Sequence, residues 1–465
     1  MKLAQVDITY FRCFESLQVR LQPDVNVFVG VNGAGKSTIL DAIAIALYRV
    51  VDANGGGGKR QRGWQKVTLQ PSDIYMQSGT EEPVNRRKNF VHFRATAQDF
   101  YPLSGFPAQT LTGAQNVLEW DDDMAFQAPD TFNYETRASS KLVSVYTYFS
   151  DLWEQIRTSP DGLIPVPTIA YYRSSRRSSQ MSIANDVFKL NMERYGAFEN
   201  ALDAGANYET MSKWFYLREN QELREKIQLT NAPDFEFNDL KAIRKAVSII
   251  LNDLKRIFFA SNPPRLMAEV KNSSDQEEVF ELGQLSDGYQ NLLALVMDFA
   301  RRLAQAHPNW ANPLEAPGIL LIDEIDLHLH PKWQQEIIPN LRRAFPNTQL
   351  VLTTHSPQIL TTVARESIQV LTSKHELKPL PSDVGTLGAE SSQLLEEVFG
   401  TNLRPAKVES VQSLRTYLKM IEAGKAKTPE AINLRQNLEK DLGKHDNDLL
   451  TSDIRASQLE MLKRS

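Results

Sequence analysis

The stretch FVGVNGAGKSTILDAIAIAL, Phe28 to Leu47, decides how the rest of the chain is read. Within it Gly30-Val31-Asn32-Gly33-Ala34-Gly35-Lys36-Ser37 fits the pattern G-x-x-x-x-G-K-[ST], with Thr38 following. Val25, Val27 and Val29 alternate ahead of it as in a strand, and an apolar helix is predicted from Lys36. Glycines let successive backbone N–H groups converge on phosphate oxygens, and the helix N-terminus adds partial positive charge. Lys36 is expected to reach the β- and γ-phosphates and Ser37 to offer its hydroxyl to Mg²⁺. Gly30, Asn32, Gly33, Gly35, Lys36, Ser37 and Thr38 are therefore the candidate binding residues of this turn. The turn alone names no purpose, because many unrelated proteins hold phosphate this way.

Working outward, GILLIDEIDLHLHP (318–331) supplies a second half. Ile319 to Ile322 read as a buried strand ending at Asp323 and Glu324. An aspartate there suits the Mg²⁺ shell, and the next carboxylate suits orienting or deprotonating an attacking water. His328 and His330 stand two apart, but no third ligand with zinc-like spacing is near them. QLVLTTHSP (349–357) is a strand ending at His355, which at a sheet's C-terminal edge would sit beside the same crevice and contact the γ-phosphate. In LGQLSDGYQNLLAL (282–295), Ser286 and Gly288 open a long apolar helix. They can present a hydroxyl and backbone N–H groups to an anion, although an ordinary helix cap reads the same way.

Composition bounds the class. A chain of 465 residues has room for about two or three domains. The 52 basic and 57 acidic residues give a net charge of −5, so nucleic-acid contact needs a local basic surface. Cys13 is the single cysteine, which excludes an intrachain disulfide framework and fits a reducing compartment. No signal-peptide core opens the sequence, and no apolar run reaches the roughly 18 residues of a membrane span. These features lead to the expectation of a cytoplasmic protein without a membrane segment.

Strands are predicted over 3–9, 17–22, 25–30 and 89–97, with a loop over 52–66. From about 98 to 280 the chain turns irregular, with a strand in PTIAYYRSSRRSSQ (167–180) and helices near 207–229 and 238–260. Helix 286–305, strand 318–322, helix 333–344 and strand 348–353 then read as a parallel α/β core. From about 391 the sequence reads as amphipathic helices.

Together these motifs resemble the ABC-type ATPase head. Lys36 and Ser37 match its Walker A, Ser286 to Gln290 its signature, and Asp323 and Glu324 its Walker B. Asp326 to His330 match its D-loop, and His355 its switch histidine. The resemblance implies an α/β fold: a mixed β lobe plus a parallel α/β core, an inserted helical or irregular lid domain, and an α-helical C-terminal tail. On this chain the segments would be 1–97, 98–280, 281–380 and 381–465. It also implies ATP and Mg²⁺ as cofactors. The signature of one copy completes the nucleotide site of another, so a homodimer is implied. Asp287 and Tyr289 depart from the commonest signature and look like the soluble SMC, RecF and OLD relatives. In ITYFRCFESL (8–17), similar to the opening of RecF-like and SMC-like heads, Arg12 would touch nucleotide. Gln77 and Asp73 are candidates for the Q-loop.

Closer still, YYRSSRR, IDEIDLHLHPKWQQ, VLTTHSPQIL and AESSQLLEEVFGTNLRP resemble a bacterial group of ATP-binding proteins that includes PtuA of the Septu and retron anti-phage systems. That resemblance implies an HNH nuclease partner like PtuB; the alternative is a RecF-like DNA-binding ATPase in repair or recombination. No nuclease centre is expected in the chain itself. Asp446 and Asp448 lack a preceding strand, and Arg302 with His307, at the spacing of a HEPN ribonuclease motif, are expected on a capped surface helix. Lys59, Arg60, Arg62 and Lys66 form one basic cluster, and Arg173, Arg176 and Arg177 another. Either suits DNA phosphate or plain solvation.

Overall fold

The first strand pair is a hairpin. In this computed structural model β1 (Lys2–Phe11) and β2 (Phe14–Arg20) run antiparallel, and β3 (Val25–Gly30) is buried along its whole length before α1 (Lys36–Gly55). The structure describes residues 1–55, 71–75, 90–103, 117–125, 140–159, 163–174, 190–228, 234–261, 263–271 and 275–464. Strands β4 (Phe90–Gln98) and β5 (Leu118–Ala125) complete a four-stranded antiparallel sheet in the order β2-β1-β4-β5. Helix α2 (Ser140–Thr158) packs on α1 and β5. After it come β6 (Thr168–Tyr172), α3 (Ala204–Gln228) and α4 (Asn238–Ile250).

The helix expected to reach 260 stops at Ile250. Residues β7 (Leu254–Ser261), β8 (Pro264–Lys271) and β9 (Glu277–Glu281) form a three-stranded antiparallel sheet instead. Asn252 and Asp253 make the turn that ends the helix, and Lys271 N donates to the Asp253 carbonyl there. The aromatic and β-branched run Ile257-Phe258-Phe259 suits a half-buried strand better than a helix.

Helix α5 (Asp287–Ala306) leads to β10 (Gly318–Ile322), α6 (Pro331–Ala344), β11 (Thr348–Thr353), α7 (Pro357–Leu360), β12 (Ile368–Leu371) and β13 (Leu377–Pro379). The six-stranded sheet has the order β13-β12-β3-β11-β10-β6, parallel except for β13. Parallel strands covered on both faces read as continuous apolar runs, which explains GILLI and TQLVLT. Ile169, Tyr171, Ile319 and Leu321 join the core beneath α1 and α2, while α5 covers β6 from the other face. This mixed β lobe beside a parallel α/β core is the predicted fold class.

Two strands of the parallel and antiparallel sheets, β5 and β6, arise within 98–280, the stretch expected as an insertion. β5 carries Asp121, Asp122 and Asp123, residues of poor strand propensity. Tertiary pairing overrides that preference: Arg49 grips the buried Asp122 with two hydrogen bonds of 2.7 and 2.9 Å.

Residues 1–391 form one compact unit and 392–465 a second. The second contains most of α8 (Ser391–Glu397), then α9 (Glu409–Glu422), α10 (Pro429–Leu442) and α11 (Asn447–Arg464). Leu414, Tyr417, Ile421, Leu438 and Leu449 make its core. Asp446 and Asp448 both pair with Arg404 in this helical unit.

Candidate nucleotide site

The turn after β3 depends on its glycines. Gly30 has φ +152°, and a Cβ there would lie 2.2 Å from the Leu371 carbonyl oxygen. Gly33 (φ +77°) faces open space, so its demand is conformational; Gly35 (φ +111°) would drive a Cβ to 2.7 Å from Cys13 Sγ. Lys36 is buried and donates from Nζ to the carbonyls of Gly30 (2.9 Å) and Val31 (3.1 Å). Burial lowers its pKa, while the charges of Glu324, Asp323 and Asp326 oppose that change. Asn32 and Ser37 are exposed at the turn and Thr38 is half-buried.

Asp323 stands where β10 ends. Its backbone N–H donates to the Tyr172 carbonyl (2.9 Å), and its Oδ1 accepts from Ser37 Oγ (3.0 Å) and Thr353 Oγ1 (2.7 Å). Thr353 in turn accepts from Glu324 N (2.7 Å), fixing a residue with φ +48°. Left-handed backbone at a non-glycine residue costs on the order of 1–3 kcal/mol and persists where its surroundings impose it. The Ser37 hydroxyl and the Asp323 carboxylate form a set of hard oxygen donors that fits Mg²⁺.

Asp326 accepts from Thr354 Oγ1 (2.6 Å) and from the His355 backbone N–H (3.2 Å), so the turn after β10 holds the end of β11. Burial lowers the His355 pKa, reinforced by Lys36 and opposed by Asp326, Glu324 and Asp323. His330 caps α6, accepting from Lys332 N, and His328 adopts φ +61°. Among the described residues no group of three His, Cys, Asp or Glu side chains is placed to hold a metal.

Ser286 is the exposed N-cap of α5 and accepts from Tyr289 N at 3.4 Å. Gly288 packs so closely on the 326–330 turn that a Cβ would lie 2.1 Å from the His328 carbonyl oxygen. Gln290 is buried and donates to the Leu285 carbonyl. The structure thus joins residues 286–290 to the turn that follows Asp323.

Arg12, at φ +48°, donates to Asp41 (2.6 Å) and Asp73 (2.8 Å). Asp41, one turn beyond Ser37 on α1, also accepts from Tyr171 (2.8 Å) and pairs with Arg173 (2.9 Å). Arg12 and the Q-loop candidate Asp73 are thereby tied to the helix that starts at Lys36. Gln77, Lys59, Arg60, Arg62, Lys66, Arg176 and Arg177 lie outside the described residues.

Three residues escaped the sequence reading. Thr353 bridges Asp323 and Glu324; as an ordinary strand threonine it carried no signal. His375, in the β12–β13 turn, is 2.7 Å from the Ala34 carbonyl through Nδ1, which must donate because a carbonyl only accepts. Tyr171 was quoted within a motif, but its hydroxyl partner Asp41 comes only from the fold.

Arg302 and His307, expected on a surface helix, are wholly buried. Asp298 accepts from Arg301 (2.8 Å) and Arg302 (2.9 Å), and Arg302 also donates to the Ala197 carbonyl. His307 receives Val166 N–H at Nε2 (3.0 Å) and donates from Nδ1 to Leu303 O (2.8 Å), so both ring nitrogens are occupied. Helix α5 threads between the sheet and other elements, and its charges face one another instead of water.

Residues 1–257 match the family described as "AAA ATPase domain". The chain belongs to that family. Residues 174–361 of this AAA ATPase also match a family described as "AAA domain, putative AbiEii toxin, Type IV TA system". It is similar to the retron Ec83 probable ATPase of Escherichia coli, 27% identical with 97% of this chain and 85% of that one covered. A shorter stretch is 41% identical to the Septu protein PtuA of Bacillus mycoides (strain KBAB4), covering 23% of this chain and 15% of that one. Among solved structures, the SMC head bound to the C-winged helix domain of ScpA aligns with a TM-score of 0.43 and 13% identity, over 82% of this chain and 97% of that one. The AAA ATPase is thus similar to a retron probable ATPase along most of its length and to a Septu protein over a shorter stretch. No helix of its described residues is long and apolar enough to cross a membrane.

Proposed function

We propose that this AAA ATPase hydrolyses ATP between two copies of itself and thereby controls a partner nuclease in an antiviral complex. The observation that carries the reading is the Ser37–Asp323 hydrogen bond, which brings the glycine turn and the acidic strand end to one point. Lys36 exchanges its bonds to the Gly30 and Val31 carbonyls for phosphate oxygens. Ser37 and Asp323 would hold Mg²⁺, which supplies neutralisation of charge on the β- and γ-phosphate oxygens. Glu324 orients the attacking water and takes its proton, and His355 contacts the γ-phosphate. Ser286 and Gly288 of one copy face the nucleotide of the other, with the Asp326–His330 turn packed behind them.

The retron and Septu relatives support placing the output in defence. The proposed partner is an HNH nuclease, reached through the 98–280 stretch or the 381–465 tail, in a cytoplasmic complex that acts on DNA. Expression with native neighbouring genes, tag purification and mass spectrometry test this directly. A stoichiometric HNH protein is expected. Its absence, with DNA-stimulated ATP hydrolysis by the lone protein, replaces the reading with a RecF-like clamp.

A further inference from the structure

Strand β6 lies at the edge of the parallel sheet, paired with β10 so that Tyr171 aligns with Leu321 and Tyr172 with Ile322. Successive side chains of a strand point to opposite faces, so its two adjacent tyrosines enter different layers. Both are buried, at 1% and 0% exposure. A buried hydroxyl is costly unless it is hydrogen-bonded, and each of these reaches a carboxylate. Tyr171 donates to Asp41 Oδ1 at 2.8 Å, on α1 one turn beyond Ser37. Tyr172 donates to Asp298 Oδ2 at 2.7 Å, on α5, the helix capped by Ser286. The Tyr172 carbonyl also accepts from the Asp323 backbone N–H at 2.9 Å. Three parts of the site, distant in sequence, are therefore referenced to two consecutive residues.

We propose that Tyr171 and Tyr172 are positioning residues, a two-faced strut by which β6 sets α1 on one side and α5 on the other against Asp323. The inference rests on the reading of this site as one that hydrolyses ATP. Tyr171 governs the helix that carries Lys36 and Ser37, so its bond bears on nucleotide affinity. Tyr172 governs the helix that carries Ser286 and Gly288 through its hydroxyl, so that bond bears on turnover. Its carbonyl bond to the Asp323 N–H is main-chain and persists in the phenylalanine variant. Phenylalanine at either position keeps the ring packing. Asp41 keeps Arg12 and Arg173, and Asp298 keeps Arg301 and Arg302, so neither carboxylate is left bare.

The test compares wild type, Tyr171→Phe and Tyr172→Phe by the Kd for a non-hydrolysable ATP analogue, by kcat with ATP, and by thermal unfolding as the control for folding. Tyr171→Phe is expected to raise Kd about fivefold with kcat held within about twofold. Tyr172→Phe is expected to lower kcat about fivefold with Kd held within about twofold. Any other pattern in a wild type that binds and turns over nucleotide overturns the strut alone. A wild type that neither binds nor hydrolyses ATP overturns the site assignment and the strut with it.

Discussion

Ser37 Oγ donates to Asp323 Oδ1 across 3.0 Å, joining the first turn of α1 to the C-terminal end of β10. A hydroxyl and a carboxylate already in contact need little rearrangement to share one hard cation. Asp323→Asn and Ser37→Ala are therefore expected to weaken ATP binding about tenfold in the presence of Mg²⁺ and far less after chelation with EDTA. Calorimetric titration with and without the metal checks this; equal losses in both conditions would remove these residues from the metal shell.

Lys36 and Glu324 separate binding from chemistry. Lys36→Ala removes the ammonium that the loop carbonyls hold ready and is expected to abolish nucleotide binding. Glu324→Gln keeps the size of the side chain and loses the base, so turnover is expected to fall by roughly 10²- to 10⁴-fold while ATP binding persists and the dimer accumulates. Phosphate release and sedimentation velocity read the two effects. Unchanged release by Glu324→Gln would sink its assignment.

Gly288 is a steric requirement. A Cβ would meet the His328 carbonyl oxygen at 2.1 Å, a backbone atom that cannot swing aside as a flexible side chain could. Gly288→Ala is expected to cost about 1–3 kcal/mol of stability and to lower kcat while leaving nucleotide affinity near wild type. A thermal melt and steady-state kinetics on the same preparation decide it; a kcat near wild type removes Gly288 from turnover.

His307 links stability to pH. Burial lowers its pKa from 6.5 to about 3, with the nearby Arg194 charge adding to that shift and the bonds to Leu303 and Val166 opposing it. The unfolded chain takes up that proton first, so stability is fully present above pH 6.5 and is lost as pH falls toward 3. His307→Gln preserves a donor and an acceptor without titrating. Urea unfolding from neutral pH to about pH 5 is expected to show a shallower decline for the variant than for wild type. Parallel declines would show that His307 titrates normally.

The two motif strands were legible because a buried parallel strand is a continuous apolar run and a phosphate turn has a fixed residue spacing. β5 was illegible, since Asp122 is a strand residue only through its pairing with Arg49. Likewise the end of α5 reads as a surface helix, yet Arg301 and Arg302 are buried there because both pair with Asp298 and donate further to Gln305 and to the Ala197 and Glu199 carbonyls. A burial pattern read from one segment cannot register a partner supplied by the same polar stripe or by another element.

Where the candidate residues fall, Lys36 and Ser37 at the start of α1 and Asp323 and Glu324 after β10, was determined by the sequence, because glycine conformational freedom and apolar periodicity are local properties. Their arrangement was decided by the tertiary structure: Thr353 between Asp323 and Glu324, His375 on the Ala34 carbonyl, and the two tyrosines of β6 on Asp41 and Asp298. Those bonds span elements far apart in the chain. Their physical origin is the need of each buried polar group for a partner, and only the packed sheet and its helices bring that partner within reach.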